Sequence, residues 1–128
     1  MSKVRTRTGI ENGRAAYAFG EVKRIVESGN HNNKKYRSYV KKIPSLIQVN
    51  GLGQTLAFCF QKKKEYLAIY QQIHRWLKET HGEYFIDESK ELVEVVVSLK
   101  SSEYRMLTME TIALLNWMRK FADGMINE

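Results

Sequence analysis

The chain has 128 residues, of which 43% are hydrophobic and 27% charged, with a formal net charge of +7. These values predict one folded domain with a real core, and they exclude a two-domain protein and a disordered chain. No apolar run reaches the roughly 18 residues of a transmembrane helix, and no apolar segment follows the basic N-terminus as in a secretory signal, so we expect a cytoplasmic protein.

Positive charge is concentrated in the first half of the sequence. Residues 1–64 hold fourteen basic and three acidic residues, a net charge of +11, whereas residues 65–128 hold seven basic and eleven acidic residues, a net charge of −4. Such asymmetry indicates a surface that binds a polyanion, most often nucleic acid. On charge alone, a generally basic soluble protein is an equally good explanation.

The N-terminal part predicts a short arm followed by a helix. Residues 1–10 show no apolar periodicity, which predicts a mobile basic arm ahead of a single helical domain over residues 11–128. From Glu11 the pattern is helical, with Arg14 and Glu21 off the apolar stripe. The helix is expected to stop at Ser28, because Gly29 can adopt the left-handed conformation beyond a helix end. The stripe consists of Ala15, Ala18, Phe19, Val22, Ile25 and Val26.

The stretch 36–60 predicts two helices folded back on each other. Pro44 interrupts the first of them; it lacks an amide proton and its ring collides with the carbonyl of Val40, so we predict a kink or a break there. Asn50-Gly51 predicts a C-terminal cap. The following helix, residues 52–60, is apolar nearly all round and is therefore expected to be central and buried. The stripe of the first helix consists of Tyr36, Tyr39, Val40, Ile43 and Ile47.

The second half predicts further helices. Residues 62–64, all lysine, indicate a turn or a solvated helix end, and the next helix closes at residues 80–82; residues 82–89 are expected to form a loop. Residues 92–99 include four β-branched valines, at 93 and 95–97, which favour a strand; the sequence offers no partner strand, however, and we predict a helix. The last helix is expected to be capped by Ser101 or Ser102 and to end at Asp123-Gly124. The sum is an all-α bundle of about six or seven helices without a sheet.

Three features that resemble catalytic or ligand motifs have structural explanations. Gly51-Leu52-Gly53 resembles the start of a dinucleotide fingerprint, but no strand precedes it and Leu56 replaces the third glycine, so it predicts a tight interhelical turn. The three histidines His31, His74 and His81 do not combine with each other or with Cys59 at metal-ligand spacing, and we expect no metal and no cofactor. Cys59 lies in an apolar helix and predicts a buried, unreactive thiol.

Glu110 is the one carboxylate beside an apolar helical stripe, together with Thr108. We predict that it accepts hydrogen bonds from a neighbouring helix end or a basic side chain. A small helical hydrolase that uses Glu110 and a histidine is the alternative, and it rests on this residue alone. We therefore expect no enzymatic activity.

The basic residues around the hairpin are the candidates for nucleic-acid binding. Because the chain doubles back at Asn50-Gly51, the clusters before and after it are expected to meet at one end of the molecule. Cations on rigid helices suit phosphate contacts, so we expect recognition of shape and backbone rather than of bases. The candidates are Lys34, Lys35, Arg37, Lys41, Lys42, Lys62, Lys63 and Lys64. An alternative strip comprises Arg14, Lys23 and Arg24.

Several blocks of the sequence resemble a known family. They begin with Arg14-Ala15 and Tyr17, and continue with YRSYVKKIP from Tyr36, NGLGQTLAF from Asn50, a spaced Tyr66, Tyr70 and Trp76-Leu77, then Tyr104, Thr108 and Glu110, and ALLNWMRKFADG from Ala113. Over roughly residues 11–124 the chain resembles the small helical subunit, subunit five, of the type III-B CRISPR (Cmr) effector complexes.

The resemblance implies a non-catalytic, all-helical subunit of a ribonucleoprotein filament active in antiviral defence. Copies of such subunits stack head to tail, adjoin the large Cas10-type subunit and the backbone subunits, and help to hold guide and target RNA along a basic groove. Arg14, Lys41, Lys42 and residues 62–64 match the places where this surface is expected, so Arg14 joins the candidate RNA-binding residues. The runner-up interpretation is a free-standing helical nucleic-acid-binding regulator, although residues 52–60 are too apolar for a recognition helix.

Overall fold

Six α-helices and one 3₁₀ turn make up the computed structural model, which describes residues 7–127. No strand occurs within this range, which confirms the predicted all-α bundle. None of the described helices is long and apolar enough to cross a membrane. The helices are α1 (Arg7–Ser28), α2 (Asn33–Asn50), α3 (Leu52–Gln61), α4 (Glu65–Thr80), α5 (Leu92–Val97) and α6 (Ser101–Met125), with the 3₁₀ turn at Gly82–Tyr84.

The first helix begins earlier than its apolar pattern predicts. It starts at Arg7 instead of Glu11, so residues 7–10 of the predicted arm are helical, while residues 1–6 lie outside the described part. Its end at Ser28 is confirmed, and Gly29 has a φ of 70°, in the left-handed region. Arg14 and Glu21, placed off the apolar stripe by the sequence, are buried. Phe19, placed on the stripe, is 46% exposed.

The second helix passes Pro44 without a break. It runs from Asn33 to Asn50, so of the two outcomes predicted at Pro44 the division into two short helices does not occur. The missing hydrogen bond and the ring contact cost about 3 kcal/mol in an isolated helix. Here Val40, Ile43 and Ile47 are buried on both sides of the proline, and this packing offsets the cost.

The turn between α2 and α3 confirms the interhelical interpretation of Gly51-Leu52-Gly53. Gly51 has a φ of 89°, and its N–H donates to the Ile47 carbonyl at 2.7 Å. The Gly53 N–H donates to the hydroxyl oxygen of Tyr104 on α6 at 2.8 Å. A side chain at Gly51 would bring a Cβ to 3.2 Å from that same hydroxyl. The two glycines therefore let the start of α3 approach α6 closely.

Replacing Gly51 by alanine is expected to lower the free energy of unfolding by about 1–3 kcal/mol, because alanine at positive φ is strained and its Cβ meets Tyr104. Gly20→Ala is the matched control, since nothing lies within 4 Å of a Cβ there and Gly20 is inside α1. It is expected to raise the same quantity by about 0.5–1 kcal/mol. Urea unfolding followed by circular dichroism measures both; equal effects would contradict the assignment of Gly51.

The last two helices agree with prediction except at their ends. Residues 92–97 are helical, as predicted against their strand propensity. At the start of α6, Lys100 rather than a serine occupies the cap position, and its N–H donates to Glu103 Oε1 at 3.3 Å. The helix also continues through Gly124 to Met125, one residue beyond the predicted stop. The predicted loop after α4 contains the 3₁₀ turn and contributes Phe85, which is 5% exposed, to the core.

Candidate nucleic-acid interface

A groove of about 500 Å³ lies where the start of α2 meets the turn between α3 and α4. We call it the basic groove. Local sequence determines where both elements lie. The Asn32 side chain accepts a hydrogen bond from the Lys35 N–H at 3.0 Å and caps the start of α2. Residues 62–64 form the turn between the end of α3 and the start of α4. The basic groove is lined by Asn30, Asn32, Lys35, Tyr39, Phe58, Lys62, Lys63, Lys64, Glu65 and Tyr66.

Aromatic rings form part of the wall of the basic groove. Tyr39 from α2 stacks on Tyr66 from α4, with ring centroids 3.8 Å apart and ring planes 7° apart. Phe58 from α3 meets Tyr66 edge to face at 5.0 Å, and the Lys62 ammonium lies 5.1 Å from the centre of the Phe58 ring. These ring contacts join α2, α3 and α4 in the wall of the groove that the lysines line.

Among the residues that the structure describes, one acidic side chain lines the groove, and it serves the fold. Glu65 is 5% exposed and accepts the Asn32 N–H at 2.8 Å, with His31 Nδ1 at 3.6 Å from the same oxygen. Across the described chain, no carboxylate lies within 4.0 Å of the ammonium groups of Lys35 and residues 62–64. Their positive charge is therefore available to an anion.

The lysine turn also carries unusual backbone geometry. Lys64 has φ 62° and ψ −118°, and it is the one described residue other than glycine with a positive φ. A side chain in this region costs on the order of 1–3 kcal/mol, so the surrounding contacts must impose it. The adjoining Glu65, anchored by Asn32, supplies one such contact.

Three of the four remaining candidates on α2 face a different direction. Lys34, Arg37 and Lys41 border a separate depression of about 320 Å³. Arg37 Nε and Lys41 Nζ lie 3.2 and 3.4 Å from the same Asp123 carboxylate oxygen, so one acidic group near the end of α6 offsets part of their charge. Lys42 is exposed and lies seven residues after Lys35, on the same side of the helix.

Arg14 belongs to an internal polar site. It is 9% exposed, and its guanidinium donates to both carboxylate oxygens of Glu110 at 2.9 and 3.0 Å and to Glu11 at 2.9 Å. The Trp76 indole N–H donates to Glu110 at 2.7 Å. Burial acts to raise the pKa of Glu110, but the hydrogen bonds from Arg14 and Trp76 outweigh it and lower that pKa. The prediction that Glu110 accepts hydrogen bonds from a basic side chain is confirmed.

The alternative basic strip on α1 is also partly compensated. Lys23 and Arg24 are exposed, and Arg24 Nη2 lies 3.5 Å from buried Glu21. That carboxylate has a closer partner in Arg75, at 2.7 Å.

The other side chains considered for chemistry are structural. Cys59 is fully buried, and burial raises the pKa of its thiol to about 12, which confirms the expectation of an unreactive cysteine. Within residues 7–127 no three histidine, cysteine, aspartate or glutamate side chains converge to hold a metal ion. His74 packs between Tyr70 and Phe85, and burial lowers its pKa.

Sequence reasoning placed Tyr39 on the apolar stripe of its helix and did not identify Tyr39 or Tyr66 as part of a groove wall. The structure brings Lys35 together with residues 62–64 and leaves the other α2 cations outside this cluster. The available signal was the four-residue spacing of Lys35 and Tyr39, which puts a cation and an aromatic ring side by side on α2.

The fold and the basic groove define a small all-helical protein with a cluster of exposed lysines. Residues 10–125 match the family model described as CRISPR-associated protein (Cas_Cmr5). The chain belongs to the Cmr5 family, which confirms the resemblance predicted from its sequence.

A protein of known sequence and a crystal structure are both similar to this chain. The CRISPR system Cmr subunit Cmr5 of Thermus thermophilus is 30% identical over 94 residues, which cover 73% of this chain and 77% of that protein. The crystal structure of a CRISPR-associated Cmr5 family protein from Thermus thermophilus superposes with a TM-score of 0.77 at 27% identity, covering 96% of this chain and all of that one.

Proposed function

We propose that this chain is a non-catalytic structural subunit of a type III-B CRISPR (Cmr) effector complex in the cytoplasm. Its partners are the large Cas10-type subunit, the backbone subunits and further copies of itself. It binds guide or target RNA through phosphate contacts made by the basic groove. Family membership supports the place in a Cmr complex.

The observation that carries RNA binding is the set of lysines without acidic partners around the basic groove. Lys35 and residues 62–64 come from two separate segments that the fold brings to one groove. Fixed cations displace the counterions condensed on a phosphate chain, which provides affinity without sequence preference. Repeated copies along a strand add weak contacts, because each bound neighbour raises the local concentration of the strand.

Arg14 is omitted from this surface, since its guanidinium is committed to Glu110 and Glu11. The cations that border the second depression, together with exposed Lys42, are secondary contacts in the proposal. A free-standing regulator would need an exposed recognition helix. The α3 helix does not offer one, because Leu52, Leu56 and Cys59 are buried in the core.

The isolated chain is expected to bind single-stranded RNA weakly and in a strongly salt-dependent way. If three to five phosphates are contacted, the logarithm of the association constant falls against the logarithm of salt concentration with a slope of roughly −2 to −3.5. Fluorescence anisotropy with a labelled oligouridylate, titrated at several KCl concentrations, measures this slope. A slope near zero, or no binding at low salt, would contradict the proposal.

A further inference from the structure

The stacked tyrosines of the basic groove have an outer and an inner member. Tyr66 is 8% exposed, whereas Tyr39 is partly exposed and lies on it at 3.8 Å with nearly parallel planes. One face of Tyr39 is therefore covered by Tyr66. Tyr39 keeps part of its surface exposed and lines the groove, so a part of the side chain that Tyr66 does not cover faces the groove.

The polar end of Tyr39 is not used by the fold. Its hydroxyl has no hydrogen-bond partner among the described residues, whereas the hydroxyl of Tyr36 on the same helix donates to Gln72 Oε1 at 2.9 Å. A phenylalanine could stack on Tyr66 in the same way without bringing a hydroxyl group to the groove. Packing on Tyr66 therefore explains the ring but not its polar end.

The surroundings of the ring match the parts of a nucleotide. Lys35 lies one helical turn before Tyr39, and the lysines of residues 62–64 line the same groove. A volume of about 500 Å³ falls within the range of sites that hold small organic ligands. Proteins that bind single strands combine such a cationic groove with aromatic faces on which bases stack.

We infer that Tyr39 is a stacking platform for one unpaired base of an RNA strand whose phosphates contact Lys35 and residues 62–64. The inference rests on the proposed function and extends it, since the sequence predicted contacts to the backbone only. It implies a preference for single-stranded over duplex RNA, because paired bases cannot reach the ring. An acidic peptide would satisfy the lysines but would leave the stacking face unused.

The inference is tested with the full chain and an oligouridylate that carries a single 2-aminopurine, whose fluorescence is quenched on stacking. Wild type is expected to quench the fluorophore on binding. Tyr39→Leu is expected to bind about tenfold more weakly, to lose the quenching and to keep the salt slope of wild type, since no phosphate contact is removed. Tyr39→Phe retains the ring and is expected to behave as wild type.

Phe60→Leu is the matched control, because Phe60 is 44% exposed on the adjacent helix α3, packs on Tyr70 and lies outside the groove. It is expected to leave both affinity and quenching unchanged. Circular dichroism identifies any variant that fails to fold. The quenching experiment on wild type uses no variant, so it tests the inference even if a substitution prevents folding.

Three results would overturn the inference. The first is that wild type binds RNA without quenching. The second is that Tyr39→Leu binds as tightly as wild type while lysine variants bind more weakly. Either result would mean that the base does not stack on Tyr39, although the proposed function still holds. If oligoglutamate competes as effectively as oligouridylate of equal charge and Tyr39→Leu alters neither, the groove is a peptide site. Failure of wild type to bind any RNA would instead contradict the proposed function.

Discussion

Replacing Arg14 by methionine is expected to lower the free energy of unfolding by about 3 kcal/mol. Arg14 and Glu110 have side-chain exposures of 10% and 13%, and the substitution would leave the carboxylate with the Trp76 indole as its remaining donor. Removing one partner of a buried ion pair strands the other charge away from water. Urea unfolding followed by circular dichroism measures the loss.

Two further variants separate the ion pair from general effects of the substitution. Arg24 is also a partner of a carboxylate, that of Glu21, but its side chain is 68% exposed. Arg24→Met is therefore expected to change the free energy of unfolding by less than about 0.5 kcal/mol. The double variant Arg14→Met/Glu110→Gln keeps an acceptor for Trp76 and removes the stranded charge, so it is expected to recover most of the loss. Equal costs for Arg14→Met and Arg24→Met would contradict the assignment.

The same site has a defined pH dependence. The pKa of Glu110 in the folded protein lies below its ordinary value of 4.5, so its ionised form stabilises the fold at every pH above 4.5. This contribution is lost as pH falls through the lower, folded-state pKa. The difference in unfolding free energy between wild type and Glu110→Gln is therefore expected to be constant near neutrality and to shrink below pH 4.5. A constant difference down to strong acid would refute this account.

Reversing the charge of Lys35 and residues 62–64 to glutamate is expected to weaken single-stranded RNA binding at about 0.1 M salt by a hundredfold or more. For each tenfold dilution of salt, one phosphate contact adds roughly 0.7 to the logarithm of the association constant. Three or four lost contacts together therefore lower the association constant by about a hundredfold or more. Exposed charges contribute little to folding, so the helical content is expected to stay unchanged. The free energy of unfolding is expected to change by less than about 1 kcal/mol. In the assembled complex the same variant is expected to capture less target RNA.

The chain offers controls of equal size and charge. Lys90, Lys100, Arg119 and Lys120 are exposed and do not line the basic groove, so their joint reversal tests the effect of net charge alone. It is expected to weaken binding far less than the groove variant. If reversal of Lys34, Arg37 and Lys41 has the larger effect, the RNA lies across the second depression instead.

Local chemistry in the sequence sufficed to predict most helix ends. Gly29 and Gly51 both have positive φ, which other residues adopt at a cost, and each ends a helix as expected. The ends that were missed depend on backbone partners. Lys100 occupies a cap position because Glu103 accepts its N–H, a role for which its side chain gives no signal.

The role of Glu110 was predicted, but its partner was not. A carboxylate beside an apolar stripe requires a donor, and that follows from the cost of burying a charge. Arg14 is 96 residues away in the sequence, and it was placed among the RNA-binding cations because the family resemblance matched it to the expected basic surface. Only the packing of α1 against α6 shows that this charge is already paired.

The cations of α2 were predicted as one surface and form two. Successive residues of a helix point about 100° apart, so Lys34 and Lys35 are neighbours in sequence but face different grooves. The sequence also showed lysines on both sides of a turn without specifying which would meet. Lys35 joins residues 62–64 because Asn32, which caps α2, is bound to Glu65 at the start of α4.

The sequence by itself determined the helical class, the position of most helices and the family, because apolar spacing and helix-stop residues act over a few neighbouring positions. Tertiary structure alone decided which charges remain available for a ligand and which aromatic rings line the groove. Burial and pairing depend on contacts between residues far apart in the chain, as between Arg14 and Glu110 or Tyr39 and Tyr66. The proposed interface is therefore a property of the packed bundle and not of any one of its segments.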